Sequence, residues 1–166
     1  MRRIKYISLL FSIMMSGSLL FAQSKKEKDA AKRAEVKQMI DDHNFKFDAQ
    51  YANPQGGGQR YLTSTYDVKV TKDSLIAFLP YFGRAYFDVP YNPSDGGLKF
   101  TSTNFSYEVT DRKKNGWTVT IHPHDVKYMQ TLTFYISAAA YANLSMIITN
   151  RSPITFDGMV SANKSK

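Results

Sequence analysis

From Phe45 to Val160, short stretches of alternating apolar and polar residues follow one another, each closed by a turn signal, and no window between them carries a helical period. Parallel strands need a crossover of a dozen or more residues, usually a helix, and this region offers none. Its strands are therefore expected to pair as antiparallel neighbours. Leu62, Tyr66, Val68 and Val70 are apolar where Thr63, Thr65, Asp67 and Lys69 are polar, the period of a half-buried strand. Trp117, Val119 and Ile121 alternate in the same way, as do Leu132 to Ile136, Leu144 to Ile148 and Ile154 to Val160. Asn53-Pro54-Gln55-Gly56-Gly57-Gly58 and Asn92-Pro93-Ser94-Asp95-Gly96-Gly97 read as loops, and Asn115-Gly116 as a tight hairpin. Leu98 and Phe100 fall on even positions, whereas Phe105, Tyr107 and Val109 fall on odd ones. One strand with a β-bulge near Ser102-Asn104 reconciles them. The fold expected is mainly β, an antiparallel meander of about eight strands closed as a lipocalin-like barrel, or else a strongly curved sheet or a sandwich.

Ahead of this region the composition changes. Met1-Arg2-Arg3-Ile4-Lys5 places three positive charges before an apolar run from Tyr6 to Phe21, and Ala22 precedes an abrupt polar shift at Gln23. That is the form of a secretory signal peptide cleaved after Ala22, too short and too interrupted by serine for a spanning helix. The chain contains no cysteine, which removes lipid attachment, disulfides and thiolate ligands together. Residues 1–22 are thus expected to be the signal peptide, 23–42 an exposed leader helix, 43–160 the antiparallel β domain and 161–166 a disordered tail. Within the leader only Val36, Met39 and Ile40, at i, i+3 and i+4, form a stripe that can be buried. The mature protein is expected to be soluble, periplasmic or extracellular, not a lipoprotein, and without stable membrane insertion. Three of the eight net positive charges leave with the signal and no dense Lys/Arg stripe remains, so nucleic acid is not an expected partner.

The block Leu79-Pro80-Tyr81-Phe82-Gly83-Arg84-Ala85-Tyr86 is the most distinctive in the chain. With Gly97-Leu98-Lys99-Phe100, the Asn53-Pro54 loop and the Asn150-Arg151 turn before Ile154-Thr155-Phe156-Asp157-Gly158, it resembles domain of unknown function 4251 (DUF4251), a family of exported Bacteroidetes proteins. The likeness covers essentially the whole mature chain. It implies an exported soluble protein of a Gram-negative anaerobe and brings no established activity or catalytic residues.

The residues themselves must therefore carry any functional reading. Tyr81, Phe82, Arg84, Tyr86, Asp88 and Tyr91 set aromatic faces around one guanidinium, a combination able to hold a flat or anionic ligand. On a barrel they would lie at one end, where ligand cavities open. The commoner use of such residues is structural: Arg84 is expected to pair with Asp88 or with carbonyl groups, and the tyrosines to plug the end of the core. Gly83 between bulky neighbours points to a positive φ or to a close backbone approach.

His122-Pro123-His124-Asp125 holds three possible metal ligands, but Pro123 spoils the strand geometry that would align them, and a polar turn is expected instead. No metal or cofactor is expected. Nucleophilic catalysis lacks its signatures, since there is no Gly-x-Ser-x-Gly elbow or cysteine, and Glu108 is the only glutamate beyond the leader. A hydrolase is the least favoured class. Asp73-Ser74-Leu75 looks like the short O-glycosylation signal of Bacteroidetes exported proteins, which would put a surface sugar on Ser74. The function expected is non-catalytic binding, either of a small ligand by a carrier-like barrel or of an envelope protein by an interaction module. The first requires an enclosed apolar cavity of about 300 Å³ or more. The second requires a filled interior and an exposed aromatic patch.

Overall fold

A computed structural model describes residues 25–88, 97–113 and 116–163. The expected signal peptide, Tyr91 and Asn115 lie outside them. Residues 25–41 form one helix, α1. Nine strands follow: β1 (Phe45–Pro54), β2 (Arg60–Val70), β3 (Leu75–Leu79), β4 (Leu98–Ser102), β5 (Phe105–Arg112), β6 (Gly116–Pro123), β7 (Met129–Ser137), β8 (Tyr141–Ile148) and β9 (Ile154–Ala162). They make a single antiparallel sheet in the order β4-β3-β2-β1-β9-β8-β7-β6-β5. The first and last strands are paired along their length, from Phe45 opposite Ala162 to Pro54 opposite Ile154. This pairing joins the two ends of the meander and curls it into a nearly closed barrel-like sheet whose edge strands are β4 and β5, and β9 runs two residues into the segment expected as tail.

The parity change after Leu98 has a different cause from the one expected. β4 and β5 sit at opposite ends of the strand order, yet only Thr103 and Asn104 separate them in sequence. With nine strands alternating in direction, the two run the same way. They are halves of one bent segment, the first paired with β3 and the second with β6. A bulge needs a partner strand running past it, and here the partner changes. Asp125 holds the bend: its carboxylate accepts hydrogen bonds from the Ser102 hydroxyl, from Thr103 N–H at 2.9 Å and from Asn104 N–H at 3.2 Å. The Ser102 bond, followed by that from the Thr103 amide, lowers the Asp125 pKa. His124 N–H adds a bond to the Asn104 carbonyl at 2.8 Å.

A bulge of this sheet lies in β1, where the register against both β2 and β9 shifts between Ala49 and Tyr51. Buried positions change there from Phe45, Phe47 and Ala49 to Ala52 and Pro54, and Gln50 and Tyr51 are both exposed.

The interior is filled. Phe134 meets Phe45 and Phe47 edge to face, with ring centroids 5.5 and 5.8 Å apart. Leu75, Leu79, Ile121, Leu132, Leu144 and Phe156 are fully buried with them. As the stripe predicts, α1 buries Val36, Met39 and Ile40. Its last turn is fixed to β5, because Tyr107 donates its hydroxyl to the Ile40 carbonyl at 2.9 Å and stacks on His43 with centroids 3.8 Å apart. Burial raises the Tyr107 pKa and, ahead of the nearby Lys72 charge, lowers that of His43.

Candidate functional site

Between Leu79 and Gly97 the described residues Tyr81 to Asp88 form a strap across the β8–β9 turn. Ala85 and Arg151 make an antiparallel bridge. On either side of it, Ser152 N–H donates to the Arg84 carbonyl at 2.8 Å and Tyr86 N–H donates to the Asn150 carbonyl at 2.9 Å. Side chains from the turn complete the attachment. Arg84 N–H donates to Ser152 Oγ at 3.0 Å, and Asn150 Nδ2 donates to the Phe87 carbonyl at 3.1 Å. Asn150 and Ser152 are buried, which makes these bonds strong constraints on the strap.

Tyr81 is the inner anchor. Its hydroxyl lies 2.8 Å from the carbonyls of both Arg84 and Ser152 and 3.0 Å from Ser152 Oγ. Burial raises its pKa, since the phenolate would be poorly solvated there. Gly83 is explained by the same contact: a Cβ at that position would stand 2.3 Å from the Tyr81 hydroxyl oxygen and 2.5 Å from Ser152 Oγ. Of the two expected reasons for this glycine, the close approach is the one that applies.

The expected pairing of Arg84 with Asp88 does not form. Residues four apart are neighbours on a helix, but the strap is not helical. Arg84 is exposed, and among the described residues its guanidinium makes no hydrogen bond or ion pair. Asp88, at φ 50°, instead takes Lys127 Nζ at 2.8 Å and the Tyr128 hydroxyl at 2.7 Å. These two bonds, Lys127 first, lower its pKa, and the reciprocal bond from Asp88 raises that of Lys127. The aromatics divide in the same manner. Tyr81 is tucked in, whereas Phe82, Tyr86 and Phe87 remain exposed. Cations lie over two of these rings: Arg60 is 4.9 Å from the Phe82 centroid and Arg151 is 5.0 Å from that of Tyr81.

Arg84→Ala is therefore expected to change the unfolding free energy by less than about 1 kcal/mol, whereas Gly83→Ala displaces the Tyr81 hydroxyl and costs about 1–3 kcal/mol. Denaturant titration of both variants measures this. A loss of about 3 kcal/mol in Arg84→Ala would restore a buried structural role for the guanidinium.

The model of a family described as domain of unknown function (DUF4251) matches residues 27–160. The chain belongs to the DUF4251 family. It is similar in fold to a crystal structure of a DUF4251 family protein from Bacteroides eggerthii, with a TM-score of 0.56 at 15 % identity over 82 % of this chain and 91 % of that one. No curated protein matches the chain.

The other positions singled out in this DUF4251 chain are dispersed. His122 is half-buried on β6, its Nδ1 3.2 Å from Thr131 Oγ1 and 3.3 Å from the Gln130 carbonyl. His124 is exposed, and Asp125 serves the β4–β5 bend. Among the described residues no group of three or more His, Asp or Glu could hold a metal ion. Ser74 shares a hydrogen bond at 2.9 Å with the Thr71 hydroxyl inside the β2–β3 turn. Asn150 and Ser152 are the strap residues that sequence reasoning passed over. The polar Asn150-Arg151-Ser152-Pro153 turn was visible, but nothing local tied it to a segment more than sixty residues upstream.

Proposed function

We propose that this DUF4251 protein is an exported, non-catalytic recognition domain that docks an envelope protein through the outer surface of the strap. One observation carries the reading: Phe82, Tyr86 and Phe87 are exposed on a segment whose backbone is pinned at Arg84, Tyr86 and Phe87, while side chains fill the space a carried ligand would need. Tyr86 is 62 % exposed. Large aromatic groups on a rigid backbone supply contact area at low ordering cost, the usual make-up of an interface anchor. Arg60, Arg84 and Arg151 surround them with positive charge, so the complementary surface is acidic. The charged start and apolar run from Met1 to Ala22 support export. Among the described residues no helix is long and apolar enough to cross a membrane.

A photo-crosslinking residue placed at Tyr86 in host cells is expected to capture a discrete protein adduct. The same residue at Thr63, an exposed position on β2, is expected to capture none, and Arg84→Ala is expected to abolish the Tyr86 adduct. Intact mass of the purified protein should begin at Gln23. Identical labelling from both positions would overturn the docking reading, and a mass retaining residues 1–22 would overturn export with cleavage.

A further inference from the structure

The register lines up a second set of groups, on the outside of the barrel. Tyr61 stands opposite Tyr51, Tyr51 opposite Asp157, Asp157 opposite Asn143, and Asn143 opposite Tyr135. Five adjacent strands thus contribute one residue each to a single transverse row. All five face outward, since Leu62, Ala52, Phe156, Leu144 and Phe134 beside them in sequence are buried. At about 4.8 Å per strand, Tyr51 and Tyr135 stand about 14 Å apart with the two polar residues between them.

The centre of the row is held in place. Asn143 Nδ2 donates to Asp157 Oδ1 at 2.7 Å, Asn53 Nδ2 donates to Oδ2 at 2.7 Å, and Gln59 Nε2 lies 3.4 Å from the same oxygen. At one end the Tyr51 and Tyr61 rings meet edge to face with centroids 5.4 Å apart, and at the other Arg112 lies 5.2 Å from the Tyr135 centroid. Tyr141, 62 % exposed, joins Tyr51 and Tyr135 in walling a shallow groove of about 430 Å³ over Asn143 and Asp157.

The β1 bulge exists in a form that serves this groove. If the alternation ran unbroken through Gln50, Tyr51 would continue the inward phase of Phe45, Phe47 and Ala49. The bulge turns it outward into the row, the re-aiming of a side chain that bulges provide.

We propose that this row binds a short neutral oligosaccharide. A pyranose ring presents an apolar C–H face and a rim of hydroxyls, and tyrosine presents an apolar face with a hydroxyl at its edge. Asp157 Oδ1, with one amide partner, keeps acceptor capacity, and the Asn143 amide oxygen is a further acceptor. Hydroxyl donors satisfy those groups when the groove is covered, whereas an apolar ligand would bury the carboxylate with unmet bonds and an anion would be repelled by it. The amide network fixes the polar groups before the ligand arrives, so binding orders little.

The test uses the full mature protein and four probes, maltohexaose, cellohexaose, xylohexaose and chitohexaose, followed through the side-chain amide NMR signals of Asn53 and Asn143. At least one hexasaccharide is expected to shift these signals saturably. Tyr51→Ala and Tyr135→Ala should each weaken that binding about tenfold, and Thr63→Ala should leave it unchanged. Tyr135 is remote from the bulge, so its variant keeps the fold if Tyr51→Ala does not. The proposal is overturned if none of the four probes moves the signals, or if Tyr135→Ala, folded by circular dichroism, binds as tightly as wild type.

Discussion

Gly158→Ala is expected to destabilise the barrel by about 3 kcal/mol or more, and many molecules of the variant should fail to fold at physiological temperature. Gly158 lies opposite Ala49 on β1 and Ala142 on β8, next to the β1 bulge. A Cβ at this position would stand 2.0 Å from the Asp48 carbonyl oxygen and 3.0 Å from Phe47 Cε2. The nearest obstacle is backbone, so no rotamer change relieves it. Either β1 and β9 separate at the seam that closes the meander, or the Phe47 ring leaves its place in the core. Both outcomes give up native contacts around Phe47, which is fully buried. Equilibrium denaturation against wild type gives the number. A loss below about 1 kcal/mol would show that the β1–β9 pairing yields more easily than its geometry allows.

Trp117→Ala is expected to cost about 3–5 kcal/mol. Trp117 is 2 % exposed on β6, between Asp111 of β5 and Ile136 of β7, with the Arg33 guanidinium of α1 5.9 Å from its ring centroid. Truncation leaves a large void that stiff sheet neighbours cannot fill. Deleting residues 23–32, in contrast, should leave the thermal midpoint within a few degrees, because the buried stripe of α1 starts only at Val36. Thermal and denaturant melts of the two variants make the comparison. A deletion variant that did not fold would assign the first turns of the helix a role their exposure does not suggest.

These expectations rest on features of unequal visibility. The burying stripe of α1 was legible because three residues at helical spacing are a local property, and Trp117 was legible because it alternates with Val119 and Ile121. The strap block was visible as an aromatic cluster, and Gly83 as a position of either positive φ or close approach, of which the second applies. The partner of Arg84 was misread. Arg84 and Asp88 are near in sequence, and the competitor that takes Asp88, Lys127, arrives from the β6–β7 connection. The bend at Thr103-Asn104 left its mark as a parity change, but parity does not say whether a strand bulges or changes partners. Asp125 decides that, from twenty-one residues beyond Asn104.

The class of structure is written locally in the chain: antiparallel strands with inward and outward faces, one marginal helix, and a core of phenylalanine, leucine and isoleucine. Period-two alternation and turn chemistry act within a few residues, so they can be read along the chain. That β1 pairs with β9, that one segment serves both ends of the strand order, and that Asn53 meets Asp157 across 104 residues of sequence are settled by long-range packing. Those outcomes depend on which registers fill the interior without clash or void. A one-residue slip would send every side chain of a strand to the other face, so the winning register is a property of the whole packed barrel and of no single strand.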